Sequence, residues 1–353
     1  MRAGLALPQF DYSVAGASAL DWPTLATYAT TAERAGFASL WVCDHLFLSI
    51  EKYGGPPDEY AGFEAITALG ALARVTSTAR LGTLVICEAL RPASVLAKSL
   101  ASLDVISGGR LDVGLGAGWY EPEYHAIGME MPGPGVRLAR LRDTIAVCRG
   151  LLGGGPFTYE GTHHRTSEAV NHPHAVQQPT PPIIVGGKGD RLLALVAELA
   201  DGWNTVWTWT PAAYRERAAV LDRACERVGR DPSTVRRSLG LYALCGEDEA
   251  DLQRRFDHLV RAMPGVLAGT NLDRWREGHL VGTVEQVREQ VAAWADQGVD
   301  ELIVGAGAVP FSVTGLDDVE MLAHALTGGL LADSAVPSTP RPGTAPPSPP
   351  AGA

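Results

Sequence analysis

The chain has 353 residues, 46% of them hydrophobic, and a formal net charge of −11. That is ample for a large core, and an acidic balance without a basic run excludes a nucleic-acid or anionic-membrane surface as the main partner. The five cysteines, Cys43, Cys87, Cys148, Cys225 and Cys245, are widely spaced with no C-x-x-C pair, which argues against both a disulfide framework and a zinc site.

The first apolar run, Gly4 to Pro8, reads as a strand. No basic region with an apolar core precedes it, and no run of about 18 apolar residues occurs, so a cytoplasmic protein is expected. A helical pattern over Thr24 to Ala35 stops at Gly36, and the strand-like Ser39 to Cys43 ends abruptly on Asp44 and His45. The alternation continues: helix Glu64 to Thr76, strand Arg80 to Ile86, helix Ala93 to Ile106, strand Leu111 to Leu115, helix Val136 to Leu152. Strand Pro182 to Val185, helix Arg191 to Leu199, strand Trp203 to Val206, helix Ala212 to Val228 and strand Ser238 to Leu244 follow. Thr283-Val-Glu-Gln286 has the form of a capping box at the start of a helix running to Gln297, before strand Glu301 to Val304 and helix Asp317 to Leu326. Such strand–helix alternation predicts a (β/α)8 TIM barrel with insertions. The insertions are Gly153 to Pro181 and roughly Pro264 to Gly282, lengths at which barrel loops are often lids or binding loops. One domain spans 1–331. Residues 332–353, rich in Pro, Ser, Thr, Ala and Gly, lack the composition for a core and read as a disordered tail.

The barrel places Asp44 and His45 at a carboxyl strand edge, where α/β enzymes hold ligands. An imidazole there suits proton transfer; the competing reading is a strand cap, with Asp44 binding a backbone amide. Gly116-Ala117-Gly118-Trp119 closes the fourth strand and allows close backbone approach, with the wrong spacing for a dinucleotide fingerprint. Gly186-Gly-Lys-Gly-Asp-Arg191 joins a strand to a helix, whose terminal N–H groups form a ready anion site to which Lys188 and Arg191 add charge. Arg137 and Arg140 read as a solvated helix face, and His163, His164, His172 and His174 match no standard metal spacing, so no metal is expected. Trp203, Trp207 and Trp209 fit core or pocket wall as well as they fit a substrate platform.

Six stretches in order resemble the luciferase-like monooxygenase family, and within it the branch using the deazaflavin coenzyme F420. They are Ala35 to His45, Arg80 to Val85, Ala97 to Arg110, Gly114 to Trp119, Pro182 to Gly187 with Ala200 to Asn204, and Gly282 to Val287. The resemblance implies the same barrel, with a deazaflavin or isoalloxazine ring over its carboxyl mouth. It assigns ring contact and proton handling to Asp44 and His45. It assigns a bulge, often with a non-prolyl cis peptide, to Thr83 and Leu84, ring contact to Ala117, Gly118 and Trp119, and phosphate binding to Gly186, Gly187 and Gly189. Trp119 stands where sugar-phosphate dehydrogenases of this branch carry Glu, which argues against a sugar phosphate. Ile86-Cys-Glu88 and Leu90-Arg-Pro92 depart from the branch's usual Thr and Arg-Asn-Pro loop. The implied activity is F420-dependent hydride transfer with a small organic substrate, in a homodimer. The alternatives are an FMN-dependent monooxygenase using O2 and a non-catalytic flavin-binding protein.

Overall fold

The computed structural model describes residues 1–17 and 19–328. Eight parallel strands pair each with the next: β1 (Arg2–Ala6), β2 (Ser39–Val42), β3 (Arg80–Thr83), β4 (Leu111–Gly116), β5 (Ile183–Gly186), β6 (Gly202–Thr205), β7 (Arg236–Gly246) and β8 (Glu301–Gly305). Strand β8 returns to β1 in the register Arg2↔Glu301 to Leu5↔Val304, closing the (β/α)8 barrel. Around it lie α1 (Trp22–Arg34), α2 (Ala65–Val75), α3 (Ala93–Ser107), α4 (Pro134–Leu152), α5 (Asp190–Leu199), α6 (Pro211–Arg227), α7 (Val284–Asp296) and α8 (Leu316–Thr327). The capping box forms as expected: Thr283 Oγ1 accepts from the Gln286 N–H while Gln286 reaches back to the Thr283 N–H. Among the described residues no helix is long and apolar enough to cross a membrane. The expected tail, 332–353, lies outside the described residues.

Alternation sorts each strand into an outward apolar row and an inward row. Leu40, Leu81, Val113 and Val185 face the helices and are fully buried in the main core. Trp41 points inward and fills the lumen, which β1 and β3 permit only because they present glycine. A Cβ on Gly82 would lie 2.2 Å from the indole, and one on Gly4 would lie 2.8 Å from its Nε1. Below Trp41 the lumen closes with charge. Trp41 Nε1 donates to Ser39 Oγ, which donates to Glu301 Oε1 at 2.5 Å. Asp112 accepts two hydrogen bonds from Arg80, both 2.9 Å, and one from Arg236 at 3.2 Å. Burial alone would raise the Asp112 carboxyl, but these guanidinium groups hold it below its ordinary value.

Three expectations need correction. The third strand does not run unbroken to Ile86: it ends at Thr83, the Leu84–Val85 peptide is cis, and Ile86–Cys87 resumes pairing against β4. A helix over Glu249–Ala262, absent from the sequence reading, follows β7, and the expected insertion beyond it contains a short helix, Leu272–Arg276, and a strand, Leu280–Thr283, that pairs β7. The insertion 153–181 is no lid. It folds as a hairpin, Phe157–Glu160 with Arg165–Ala169, and Asn171 and Gln177 donate to backbone carbonyls of Ala97 and Leu111 on the barrel's flank.

Candidate active site

The carboxyl ends of the strands open into a cavity of about 450 Å³. Its walls are largely apolar, with Leu48, Tyr53, Trp207 and Phe311 contributing side chains from three different loops. Polar side chains enter from the segment after β2, from the segment after β4 and, as Lys188, Asn204 and Thr205, from the β5–β6 side.

His45 lines this cavity with its Nδ1 2.8 Å from Glu123 Oε2. Glu123 belongs to the short helix Glu121–Ala126 and is buried; its other oxygen accepts the Leu46 N–H at 2.5 Å. A carboxylate only accepts, so the imidazole carries its proton on Nδ1 and the neutral ring keeps its lone pair on Nε2. Nε2 has no hydrogen-bond partner among the described residues. Trp119 and Tyr120 stand edge-on to the ring, with centroids at 5.4 and 5.8 Å, and fix its plane. The geometry therefore offers one ring nitrogen, oriented and supported from behind, to whatever enters.

Asp44 also borders the cavity, but both its oxygens are engaged. Arg91 grips it with two nitrogens at 2.6 and 2.7 Å, the Cys87 N–H donates at 3.1 Å, and Arg91 additionally pairs with Glu64. Burial pushes the Asp44 carboxyl up against the opposing pull of Arg91. So placed, Asp44 ties the end of β2 to the loop after β3, and Arg91 is the residue that makes the altered Leu90-Arg-Pro92 loop intelligible.

The remaining expected positions divide into two groups. Leu84, Gly118, Trp119, Gly186 and Gly187 line the main cavity, while Thr83 is fully buried with its hydroxyl bridging the Gly114 N–H and C=O. Gly118 has φ +71, and a Cβ there would sit 2.3 Å from the Tyr124 hydroxyl. Trp119 is 47% exposed, so it forms cavity wall rather than core. Ala117 and Gly189 border a second recess of about 390 Å³, together with Arg137 and Arg191. Gly189 is the N-cap of α5 with no side-chain cap, which leaves first-turn N–H groups facing out. The Gly187 N–H, by contrast, already donates to Asn204 O at 3.0 Å, so the anion-binding capacity of this turn resides at Gly189 and beyond.

Of the tryptophans, Trp207 lines the cavity, whereas Trp203 is fully buried, with Nε1 donating to Gly187 O at 2.7 Å. Trp209 is buried beneath Lys188, whose Nζ is 5.7 Å from its ring. Sequence reasoning did not reach Glu123, Lys52 or Arg91. Their partners are distant in the chain, Glu123 lying 78 residues from His45, and the acidic first turn of Glu121–Ala126 was the one local signal. Glu88 is buried with Oε1 unpartnered; burial raises its carboxyl to about 7 against the charges of Arg140 and Arg137.

The donor set suits a flat anionic cofactor: the largely apolar cavity at the strand ends and, as a separate recess, an uncapped helix terminus flanked by Arg137 and Arg191. Comparison with known proteins agrees with the architecture. The chain is 29% identical over 293 residues to an F420-dependent hydroxymycolic acid dehydrogenase of Mycobacterium tuberculosis, covering 81% of this chain and 78% of that one. It is 31% identical over 225 residues to the pyrimidine monooxygenase RutA of Escherichia coli O139:H28, covering 60% of this chain and 53% of RutA. Its fold superposes with a TM-score of 0.72 on an F420-dependent secondary alcohol dehydrogenase in complex with an F420-acetone adduct, at 20% identity and covering 92% and 98% of the two chains. The family model for luciferase-like monooxygenases matches residues 1–301, and the chain belongs to that family.

Proposed function

We propose that this protein is an F420-dependent oxidoreductase that interconverts an alcohol and a carbonyl, or a comparable hydride acceptor, on a small organic substrate. The observation that carries the reading is the His45–Glu123 pair, an imidazole with Nδ1 held by a buried carboxylate and Nε2 facing an apolar cavity. Similarity to relatives named as F420-dependent dehydrogenases supports F420 as the cofactor.

In this reading Ala117 and Gly118 would lie beside the ring, while Gly189, Arg191 and Arg137 would hold the anionic tail. The bound deazaflavin supplies a hydride-donating or hydride-accepting carbon. The protein's part is to orient and to move a proton. In its protonated state His45 donates from Nε2 to the oxygen of a carbonyl being reduced, and in reverse the neutral ring accepts the hydroxyl proton there. Glu123 keeps Nε2 aimed in both states. Leu48, Tyr53, Trp207 and Phe311 exclude water around the reacting carbon, where polar interactions are strongest.

The second reading, an FMN-dependent monooxygenase, is favoured by the similarity to RutA. Fluorescence titration with F420 and FMN, followed by an anaerobic assay of reduced F420 oxidation with a carbonyl panel, separates the two. Tight F420 binding, about 8 kcal/mol or better for a micromolar complex, with oxygen-independent turnover is expected. Preferential FMN binding with strictly oxygen-dependent product formation overturns it.

A further inference from the structure

The chain contains only three lysines, Lys52, Lys98 and Lys188, among 29 Lys and Arg residues. Two of the three, Lys52 and Lys188, line the main cavity. Both are exposed residues of its wall, in a protein whose positive surface charge is otherwise supplied almost entirely by arginine.

Lys188 follows Gly187 and lies over Trp209, on the side of the cavity leading to α5. Lys52 occupies the other side. It sits on the turn Glu51–Tyr53, within the loop between the antiparallel strands Phe47–Ser49 and Glu59–Ala61. Its Nζ is 3.4 Å from the centre of a Trp119 ring and 4.8 Å from that of Tyr53. Trp119 is the same side chain that stands edge-on to His45. No carboxylate among the described residues pairs with Lys52; the buried one nearby, Glu123, is engaged by His45 and Leu46. Aromatic faces stabilise an ammonium only in part, leaving its donors free for an anion. Partial burial against these rings pulls the Lys52 ammonium down to about 8, although the residue as a whole stays exposed.

We infer that Lys52 is a specificity-determining residue that selects substrates carrying a carboxylate a few bonds from the carbon reacting at His45. The inference rests on the hydride-transfer reading for where the reacting carbon lies. The indole of Trp119 is the spacer: His45 and Lys52 both contact it, so one substrate can meet both. A point charge with rotatable donors suits this task, since it recognises a carboxylate without demanding one approach angle. The apolar walls then favour an aliphatic or aromatic body between the two polar ends.

The test is equilibrium binding, which needs no turnover. Calorimetric affinities for 4-oxo-4-phenylbutanoate and its uncharged amide are compared in the full chain. In the wild type the acid is expected to bind at least tenfold more tightly than the amide. Lys52→Met abolishes the preference, and Lys52→Arg retains most of it. Equal affinity for acid and amide in the wild type, or a preference that survives in Lys52→Met, overturns the assignment. If the preference follows Lys52 but neither compound oxidises reduced F420, the hydride-transfer reading fails while the carboxylate site stands.

Discussion

Glu123→Gln exchanges a buried carboxylate for an amide of nearly the same shape and so isolates what the charge does to His45. The amide oxygen can still accept the Leu46 N–H, which places the amide NH2 against His45 Nδ1. That nitrogen must then accept, which moves the imidazole proton to Nε2, the atom facing the cavity. Two charge-assisted hydrogen bonds become two neutral ones, a loss of about 1–3 kcal/mol in stability. Turnover loses the properly oriented acid–base group and falls by roughly 10²–10⁴-fold, while the hold on an anionic tail is untouched because Glu123 does not border the recess at α5. Nitrogen-15 NMR of the histidine side chains reads the tautomer directly, and an anaerobic stopped-flow assay reads the rate. An unchanged Nδ1–H tautomer in the variant would refute the positioning role, whatever happened to the rate.

Gly189→Asp should fold normally, since φ is −74° and no atom lies within 4 Å of the added Cβ, and gain a few tenths of a kcal/mol as an N-cap while weakening F420 binding by about 10- to 100-fold through repulsion. Gly189→Asn, capped but uncharged, should bind nearly as the wild type does; fluorescence titration that found Asp and Asn alike would place the anion elsewhere. Glu88, raised by burial to about 7 from an ordinary 4.5, binds its proton more tightly in the folded than in the unfolded chain, so it costs stability as pH rises through that window. Glu88→Gln should therefore gain roughly 2–3 kcal/mol relative to wild type between pH 5 and pH 8 in urea denaturation, and a loss at pH 8 would mean the carboxylate is ion-paired. Arg91→Met leaves the buried Asp44 carboxylate without its guanidinium and should cost about 3–5 kcal/mol; a cost below about 1 kcal/mol would show that the pair is solvated.

The barrel was legible in the sequence because each strand is a short apolar run bounded by turn residues, and every one of the eight was located within a few residues of its observed ends. His45 was legible for the same reason: it terminates such a run. The helix Glu249–Ala262 carried the same kind of signal, Leu252, Phe256 and Leu259 at i, i+4 and i+7 behind the N-cap Asp248, but eight strand–helix pairs were complete without it. The hairpin 157–169 was hidden by the Gly, Pro and His around it. Glu123, Arg91 and Lys52 act through partners that only folding brings near, and no local period encodes such pairs. Chemistry at strand ends is written in the strand, whereas the residues that orient it are written elsewhere in the chain.

The charged layer beneath Trp41 has a consequence for traffic. With Glu301 and Asp112 fully buried beneath the indole and roofed by Arg2, Arg80 and Arg236, the barrel is a blind well. Solvent, protons and reactants share a single rim, so whatever is made must leave by the way its precursor arrived. Entry and exit then share one opening, on whose wall Lys52 and Trp119 are exposed side chains.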